Sequence, residues 1–262
     1  MKKITIQNIV DFKKQKQKFA TITAYDFNSA CLVNDCDIPL ILVGDSASMM
    51  VYGYSTTIPV SMDEMLLVVK AVSRGSKNAL VVADLPFLSY QASIEQTILN
   101  AGLLIKNGGA GAVKLEGGQN MASQIESLVG VGIPVMGHLG ILPQTTRGKF
   151  KSKGKSIREK NEILRDCKLL EKEGVFSIVL ECVERKLANK ISNLIKIPTI
   201  GIGSSNNCDG QILVIDDVLG LTDSKMKFVK KFVDVKKLIT EGAKKFEKEV
   251  KSNKFPSRKY SY

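Results

Sequence analysis

Acidic residues stand directly after three short apolar segments of this chain. The segments and their acids are 41–44 with Asp45, 80–83 with Asp84, and 112–115 with Glu116. Each segment is short and aliphatic, which predicts a buried strand. A carboxylate at the exit of such a strand lies at the edge of the sheet where α/β proteins build their sites. Three carboxylates from different strands can converge on one hard cation, which takes oxygen ligands.

Other ionisable residues stand at similar strand exits. Lys114 precedes Glu116 by two positions, so both side chains point to one face of the strand. They form either a structural ion pair or part of a site. His138, the only histidine, is either a structural hydrogen-bonding residue or a catalytic one. Glu181 closes a further apolar segment, and a carboxylate desolvated there can act as a general base. We interpret Cys182 as a packing residue, because no base is evident beside it.

Composition narrows the class of protein. The chain has 262 residues and a net charge of +12, with lysines concentrated in 13–18, 149–160 and the stretch after 225. Because no nucleic-acid motif or tryptophan accompanies them, we interpret these lysines as a solvated surface with a general attraction for anions. Five cysteines without C-x-x-C spacing argue against disulfides or zinc and suit a reducing compartment. With no secretory pattern and no apolar run near the roughly 18 residues of a membrane span, we expect a cytoplasmic protein without a membrane partner.

The strand-like segments alternate with helical patterns. Predicted strands cover 20–24, 40–44, 80–83, 112–115, 134–137, 177–180 and 198–202. Ser61, Ser93 and Ser156 each precede a helical pattern as capping residues. This alternation predicts an α/β fold, a (β/α)8 TIM barrel, as a single domain over 1–262. The eighth strand is ambiguous: 212–215 follows the seventh too closely for a helical crossover, so it is either a helix or an irregular closure. The tail from Val235 predicts a closing helix.

Six short motifs occur in one order along the chain. They are 43–46 (VGDS), 83–87 (ADLPF), 113–118 (VKLEGG), 137–140 (GHLG), 180–182 (LEC), and 201–203 (GIG) with 209–211 (DGQ). Together they resemble the ketopantoate hydroxymethyltransferase (3-methyl-2-oxobutanoate hydroxymethyltransferase) family, and the likeness runs from Phe19 to Tyr262. Each motif is weak alone, whereas six in order are specific.

The resemblance implies a barrel of the phosphoenolpyruvate/pyruvate-like group. It implies transfer of a hydroxymethyl group from 5,10-methylenetetrahydrofolate to 3-methyl-2-oxobutanoate in pantothenate biosynthesis, with Mg²⁺ as the metal. The implied metal ligands are Asp45, Asp84 and Glu116. The implied substrate-binding residues are Asp45, Ser46, Asp84 and Lys114. We add His138 to this set because it stands in one of the motifs, and we expect it to position or polarise; the resemblance itself assigns it no role. Glu181 is the implied base and Lys114 the implied stabiliser of the enolate. Relatives form large homo-oligomers, commonly decamers.

One loop departs from the family pattern. Residues 145–154 form a shorter and more basic stretch than relatives carry, and we hypothesise that it favours folates with an anionic polyglutamate tail. Two other functions stay open. One is a Mg²⁺-dependent lyase or aldolase of the same barrel group that acts on a 2-oxo acid. The other is a basic anion- or nucleic-acid-binding protein, against which the acids at the strand exits argue, because they repel phosphate.

Overall fold

A computed structural model describes residues 3–148 and 151–262. The chain divides into two compact units, Met1–Val214 and Ile215–Tyr262. The first unit, called the barrel unit below, contains eight strands. They are β1 (Phe19–Thr23), β2 (Leu40–Val43), β3 (Leu80–Asp84), β4 (Ala112–Glu116), β5 (Val135–Gly140), β6 (Ser177–Glu181), β7 (Thr199–Ile202) and β8 (Gly210–Leu213). Its helices are α1 (Ile6–Lys14), α2 (Phe27–Asn34), α3 (Ala47–Met50), α4 (Met62–Gly75), α5 (Ile94–Lys106), α6 (Ala122–Gly130), α7 (Ile157–Lys172) and α8 (Arg185–Leu194).

The eight strands form one closed parallel barrel in chain order. Closure joins β1 to β8, with Phe19 opposite Gly210 and Ile22 opposite Leu213. The prediction of a (β/α)8 barrel is therefore confirmed. The seven predicted strands are present, with ends that coincide with the predicted ones or differ by at most three residues. The differences extend β3, β4 and β6 to include the acids at their exits.

The eighth strand resolves the ambiguity left by the sequence. Strand β8 begins at Gly210, two residues before the predicted segment, and pairs in parallel with both β7 and β1. The alternative that 212–215 is a helix is therefore wrong. Only residues 203–209 connect β7 to β8, and they contain no helix. Asp209 stabilises this return, because its Oδ2 accepts hydrogen bonds from the backbone N–H of Thr199 (2.8 Å) and from Lys13 Nζ (2.8 Å).

Helix starts follow the predicted capping signals. Ser61 and Ser156 each form a full capping box with the glutamate three residues later, and Ser93 accepts the backbone N–H of Gln96. These side chains satisfy N–H groups that the first turn of a helix leaves without intrahelical partners. The caps fix where α4, α5 and α7 begin after the loops of the barrel mouth.

The side chains that line the barrel interior are apolar at the strand starts and ionisable at the strand ends. Successive side chains of a strand point to opposite faces, so alternate residues line the interior. On β3 these residues are Leu80, Val82 and Asp84, and on β4 they are Ala112, Lys114 and Glu116. The strand starts contribute to one apolar cluster that includes Leu40, Leu80, Ala112, Met136 and Phe176. The strand ends carry the ionisable side chains.

Helix α1 belongs to the apolar end of the barrel. Ile9 is fully buried in the cluster of the strand starts, and Ile6, Val10 and Phe12 pack against it. Phe12 stacks on Phe19 of β1 with ring centroids 5.3 Å apart. Residues 4–12 and the strand starts thus form what we call the apolar base of the barrel.

The second unit contains α9 (Ile215–Leu219) and α10 (Val235–Lys251), the helix predicted for the tail. Helix α10 carries an exposed row of apolar side chains: Leu238, Ile239, Phe246 and Val250. That 1–262 acts as one catalytic domain stays a prediction. Within the described part of the chain, we find no helix with the length and apolar character needed to cross a bilayer.

Candidate active site

The three predicted acids meet at the mouth of the barrel. Asp84 ends β3, Glu116 ends β4, and Asp45 lies directly after β2, where its backbone N–H donates to Oδ2 of Asp84 (3.0 Å). All three are buried, with at most 6% of their surface exposed. The sequence prediction that these carboxylates converge is therefore confirmed in position, and their role as metal ligands stays a prediction.

Strand register brings Lys114 and His138 into this cluster. Lys114 lies opposite Asp84 in the β3–β4 ladder, and His138 lies opposite Glu116 in the β4–β5 ladder. The Lys114 ammonium is 2.9 Å from Oδ1 of Asp84. Burial lowers the pKa of Lys114, but Asp84, Glu116 and Asp45 together outweigh that effect and raise it, so the side chain is charged.

His138 links Lys114 to Glu181. Its Nδ1 is 3.2 Å from Lys114 Nζ, and its Nε2 is 3.2 Å from Oε2 of Glu181. Burial and the Lys114 charge hold the pKa of His138 below its usual value, so the ring is neutral. An ammonium can only donate, so Nδ1 must accept, and the ring proton belongs on Nε2, facing Glu181. That N–H is not aligned as a full hydrogen bond here, which is common before substrate binds.

The turn after β6 holds Glu181 at the rim. Ser204 accepts the N–H of Val183 (3.0 Å) and donates to the carbonyl of Leu180 (2.6 Å). The Glu181 side chain is 13% exposed, more than the other acids of the mouth, so it is the carboxylate most open to a ligand. Its charge contributes to raising the pKa of Asp45.

Ser46 and Tyr25 share a hydrogen bond of 2.7 Å beside Asp45. Ser46 follows Asp45 directly and precedes the short helix α3. Tyr25 is buried and lies after β1. The pair therefore presents a hydroxyl next to the carboxylates, where it can bind a polar substrate.

The charges of the mouth fit a divalent cation. Burial, followed by repulsion from Asp84, raises the pKa of Asp45 to about 7, and burial with repulsion from Asp45 raises the pKa of Glu116. The charge of Lys114 acts in the opposite direction on the pKa of both acids, as do the hydrogen bonds from Gln144. Buried carboxylates that repel one another are stabilised by a hard cation, which accepts oxygen ligands.

The acids do not form a cluster already spaced for an ion. Among the described residues, no group of three or more carboxylate, imidazole or thiol side chains has that arrangement. Asp84 is paired with Lys114, and Oε2 of Glu116 accepts the backbone N–H of Gln144 (3.1 Å). Ligation by all three acids, directly or through water, therefore requires small side-chain adjustments.

Cys182 follows Glu181 with a left-handed backbone (φ 50°) and is partly buried. Burial and the neighbouring Glu181 raise the pKa of its thiol to about 11. A thiol that stays protonated near neutral pH is a poor nucleophile. This agrees with the interpretation of Cys182 as a packing residue.

Three contributors to the site were missed at the level of sequence. Gln144 donates from Nε2 to Oδ2 of Asp45 (2.9 Å), and Tyr90 donates to Oε1 of Gln144 (2.7 Å). Tyr25, described above, is the third. Gln144 lies four residues after the 137–140 motif, but nothing in its spacing indicates contact with a carboxylate 99 positions away.

The basic loop borders the same rim. Lys153 forms a parallel bridge with Val183, two residues beyond Glu181, and its N–H donates to the carbonyl of Cys182 (2.9 Å). A cavity of about 450 Å³ is lined by Lys151, Ser152, Lys153, Lys155, Ser156 and Glu159. Lys149 and Phe150, which belong to the loop, lie outside the described residues.

Comparisons with known proteins identify the same family that the six motifs resemble. The family model described as ketopantoate hydroxymethyltransferase matches residues 3–258. A 3-methyl-2-oxobutanoate hydroxymethyltransferase of Carboxydothermus hydrogenoformans is 49% identical to this chain. The alignment covers 100% of this chain and 96% of that enzyme. The enzyme of the same name from Nitrosopumilus maritimus is 50% identical and covers 97% of this chain and 91% of its own.

Solved structures resemble the fold at low identity. A phosphonopyruvate hydrolase in complex with oxalate and Mg²⁺ superposes with a TM-score of 0.65 at 11% identity and covers 98% of this chain and 93% of its own. A 2,3-dimethylmalate lyase of the PEP mutase/isocitrate lyase superfamily gives a TM-score of 0.63 at 12% identity, with 98% and 89% covered. The barrel therefore shares its fold with these two enzymes.

Proposed function

Because the chain belongs to the ketopantoate hydroxymethyltransferase family, we propose that it is an enzyme that converts 3-methyl-2-oxobutanoate to ketopantoate, with 5,10-methylenetetrahydrofolate as the one-carbon donor and Mg²⁺ as the metal. One observation carries the proposal: three buried carboxylates, one charged lysine and a more accessible glutamate meet at the mouth of a barrel with these motifs. Because ketopantoate is the product, we propose that the enzyme acts in pantothenate biosynthesis.

Asp45, Asp84 and Glu116 would hold the divalent cation, directly or through water. When bound, the cation supplies Lewis-acid chemistry that draws electron density from the keto oxygen of the substrate and makes its C3–H more acidic. Ser46 and Lys114 stand beside these acids and would bind the carboxylate and keto groups of the 2-oxo acid. Binding there would leave C3 facing the open side of the mouth, toward Glu181.

Glu181 is the proposed general base. Its carboxylate takes the C3 proton, and the resulting enolate is stabilised by the ammonium of Lys114 as negative charge develops on oxygen. His138 would orient Glu181 through its Nε2–H while its Nδ1 accepts from Lys114. The earlier assignment of His138 to substrate binding stays a prediction.

The enolate carbon then forms a carbon–carbon bond to the methylene group of the folate iminium. Because the methylene carbon carries no oxygen, a water molecule supplies the hydroxyl of the product: a C–O bond forms at this carbon as its C–N bond to the folate breaks, and tetrahydrofolate leaves. The proton on Glu181 returns to solvent or to the departing amine.

The basic loop is proposed to favour polyglutamylated folate. Lys151, Lys153 and Lys155 line the cavity at the rim next to Glu181, and a γ-glutamyl tail carries one carboxylate per residue. We expect the Michaelis constant for the folate to fall as glutamates are added. Equal constants for mono- and polyglutamate forms would contradict this.

Two finer proposals concern the state of the protein. The exposed apolar row of α10 is more apolar surface than one helix normally shows to water, which supports assembly into a homo-oligomer, a decamer by family resemblance. Analytical ultracentrifugation of the purified chain tests the oligomer proposal, because a monomer would sediment with the mass of one chain, 28.7 kDa.

The second proposal is a cytoplasmic location. It is supported by the biosynthetic family of the enzyme, whose described part contains no helix that could span a membrane.

Proton NMR tests the activity and separates it from its alternatives. The substrate 3-methyl-2-oxobutanoate is incubated in D₂O with protein and Mg²⁺, with and without methylenetetrahydrofolate. Ketopantoate that forms only with folate and metal supports the proposal. C3 deuterium exchange without product would instead favour a lyase or aldolase that shares the enolate chemistry. No exchange and no product, with salt-sensitive DNA binding, would favour the anion-binding alternative.

A further inference from the structure

Gln144 lies in the loop after β5 and is 1% exposed, although its side chain is a polar amide. Every hydrogen-bonding group of that amide is used. Nε2 donates to Oδ2 of Asp45 (2.9 Å) and to the carbonyl of Leu85 (3.0 Å), and Oε1 accepts from the hydroxyl of Tyr90 (2.7 Å). The backbone N–H of the same residue donates to Oε2 of Glu116 (3.1 Å).

The network fixes which way the amide points. The Tyr90 hydroxyl accepts the backbone N–H of Glu116 (3.2 Å), and of its two acceptors Oε1 of Gln144 (2.7 Å) is much nearer than the carbonyl of Glu116 (3.4 Å). The oxygen of the amide must therefore face Tyr90, and its NH₂ must face Asp45. The carbonyl of Leu85, which can only accept, enforces the same orientation. Only a group with two donors and one acceptor satisfies all these partners.

We propose that Gln144 is a positioning residue of the cation site: its side chain holds Oδ2 of Asp45 and its backbone N–H holds Oε2 of Glu116, which leaves one oxygen of each acid for the cation. The remaining oxygen of Glu116, Oε1, lies 3.6 Å from Nδ1 of His138, which carries no proton and therefore does not hold it. This inference rests on the proposed function, because it assumes that these acids bind the metal. One residue thereby links the exit of β2 to the exit of β4, two elements that are not neighbours in the barrel. Outer partners of this kind orient metal-binding carboxylates and tune their affinity.

The chemistry of the position excludes simple replacements. A glutamate at 144 would add a further carboxylate beside Asp45 and remove the donor that Asp45 uses. An apolar side chain of equal length would leave the Leu85 carbonyl and the Tyr90 hydroxyl without this partner and would release Asp45. The backbone contact to Glu116 would survive in both cases, so the side chain can be tested separately from the main chain.

Direct binding of Mn²⁺, followed by electron paramagnetic resonance of the free ion, tests the proposal without any turnover. The full-length proteins compared are the wild type, Gln144→Met and Gln91→Met. Gln91 is the matched control, because its Nε2 donates to Oε1 of Gln144 (3.3 Å) and, among the described residues, no carboxylate is hydrogen-bonded to it. Asp84→Ala serves as the reference for a lost ligand.

We expect Gln144→Met to weaken Mn²⁺ binding by about 10–100-fold, the range typical of lost outer-sphere partners. Gln91→Met should bind within about twofold of wild type, since Tyr90 still donates to Gln144. A folded Gln144→Met variant with wild-type affinity, or equal weakening in both glutamine variants, would overturn the inference. Thermal unfolding followed by circular dichroism establishes folding.

If Gln144→Met does not fold, Gln144→Asn replaces it in the comparison. Its amide is one methylene shorter and cannot reach both Asp45 and Tyr90, so the same weakening is expected, and wild-type affinity overturns the inference. Failure of the proposed function has a different signature, because the wild type itself would then bind no Mn²⁺ and exchange no C3 proton.

Discussion

The two ends of the barrel unit are built from the same eight strands, yet they bury opposite kinds of side chain. At the apolar base, Ile9 of α1 packs with the starts of the strands in one hydrophobic cluster. At the mouth, the ends of the strands bury Asp84, Lys114, Glu116 and His138. On β3, Leu80, Val82 and Asp84 are two positions apart from one another, so the change from Val82 to Asp84 occurs within about 7 Å along the strand.

We infer from this contrast that the apolar base contributes stability and that the mouth contributes the groups for chemistry. Burying apolar surface stabilises the fold by about 25 cal/mol per Å². Burying charges costs free energy unless each is paired well, and the raised pKa values of Asp45 and Glu116 express that cost. The base is therefore expected to hold the barrel closed, and the mouth to use part of that stability to keep acids ready for ligand.

The largest expected effect is at the mouth. Glu181→Gln keeps the size and hydrogen bonding of the side chain but cannot take the C3 proton. We expect C3 deuterium exchange and turnover to fall by about 10²–10⁴-fold, the usual contribution of a general base. NMR exchange rates measure it, with binding of the keto acid retained as the control. Undiminished turnover would remove Glu181 from the role of base.

The opposite result is expected at the apolar base. Ile9→Ala deletes fully buried methyl groups, and we expect it to lower the free energy of unfolding by about 2–5 kcal/mol. Its turnover at a temperature where it is folded should match the wild type. Urea denaturation measures the loss, and Leu99→Ala, 65% exposed on α5, is the surface control. An Ile9→Ala variant that is as stable as the wild type but impaired in turnover would contradict the inference that the base contributes stability and the mouth contributes chemistry.

His138 tests whether the neutral ring works through its Nε2–H. In His138→Gln the amide nitrogen can stand where Nε2 stood, whereas in His138→Asn the shorter amide reaches only the position of Nδ1. We expect the asparagine variant to lose about 10²-fold in kcat and the glutamine variant to recover most of it. The KM for the keto acid should change little in either. Equal activity of the two variants would show that the contact with Glu181 is not used.

The smallest effect is expected at Cys182. Cys182→Ser should change kcat by less than about threefold, because a protonated thiol takes no part in the reaction. Since the pKa of the thiol is raised to about 11, the thiolate fraction is small at pH 8 and grows with each unit of pH up to that value. The rate of alkylation of Cys182, followed by peptide mass spectrometry, should therefore still rise between pH 9 and 10. A plateau below pH 9 would contradict it.

Much of the mouth was predictable because its residues sit at the ends of recognisable strands. Asp45, Asp84, Glu116 and Glu181 each close an apolar segment, and parallel strands bring such ends together. The barrel followed from the alternation of those segments with capped helices. In both cases, local sequence carried the signal.

The remainder depends on contacts that local patterns do not contain. Gln144 is polar and lies in a loop, yet it is buried by partners 54 and 99 positions away. Strand β8 is short, and half of it, Gly210 and Gln211, has little strand propensity. Pairing with β1 and β7 stabilises it despite the short connection, and only the assembled barrel provides that pairing.

Closure through the β1–β8 ladder has a consequence for synthesis of the chain. The strand that completes the sheet begins at Gly210, whereas its partner β1 ends at Thr23, so nearly the whole barrel must leave the ribosome before the ring can close. Until then the nascent chain carries two open sheet edges, at β1 and at β7, which are surfaces for mispairing and aggregation. Ribosome-stalled chains that end before residue 210 should therefore depend on chaperones, and chains that extend well past residue 213 should resist protease.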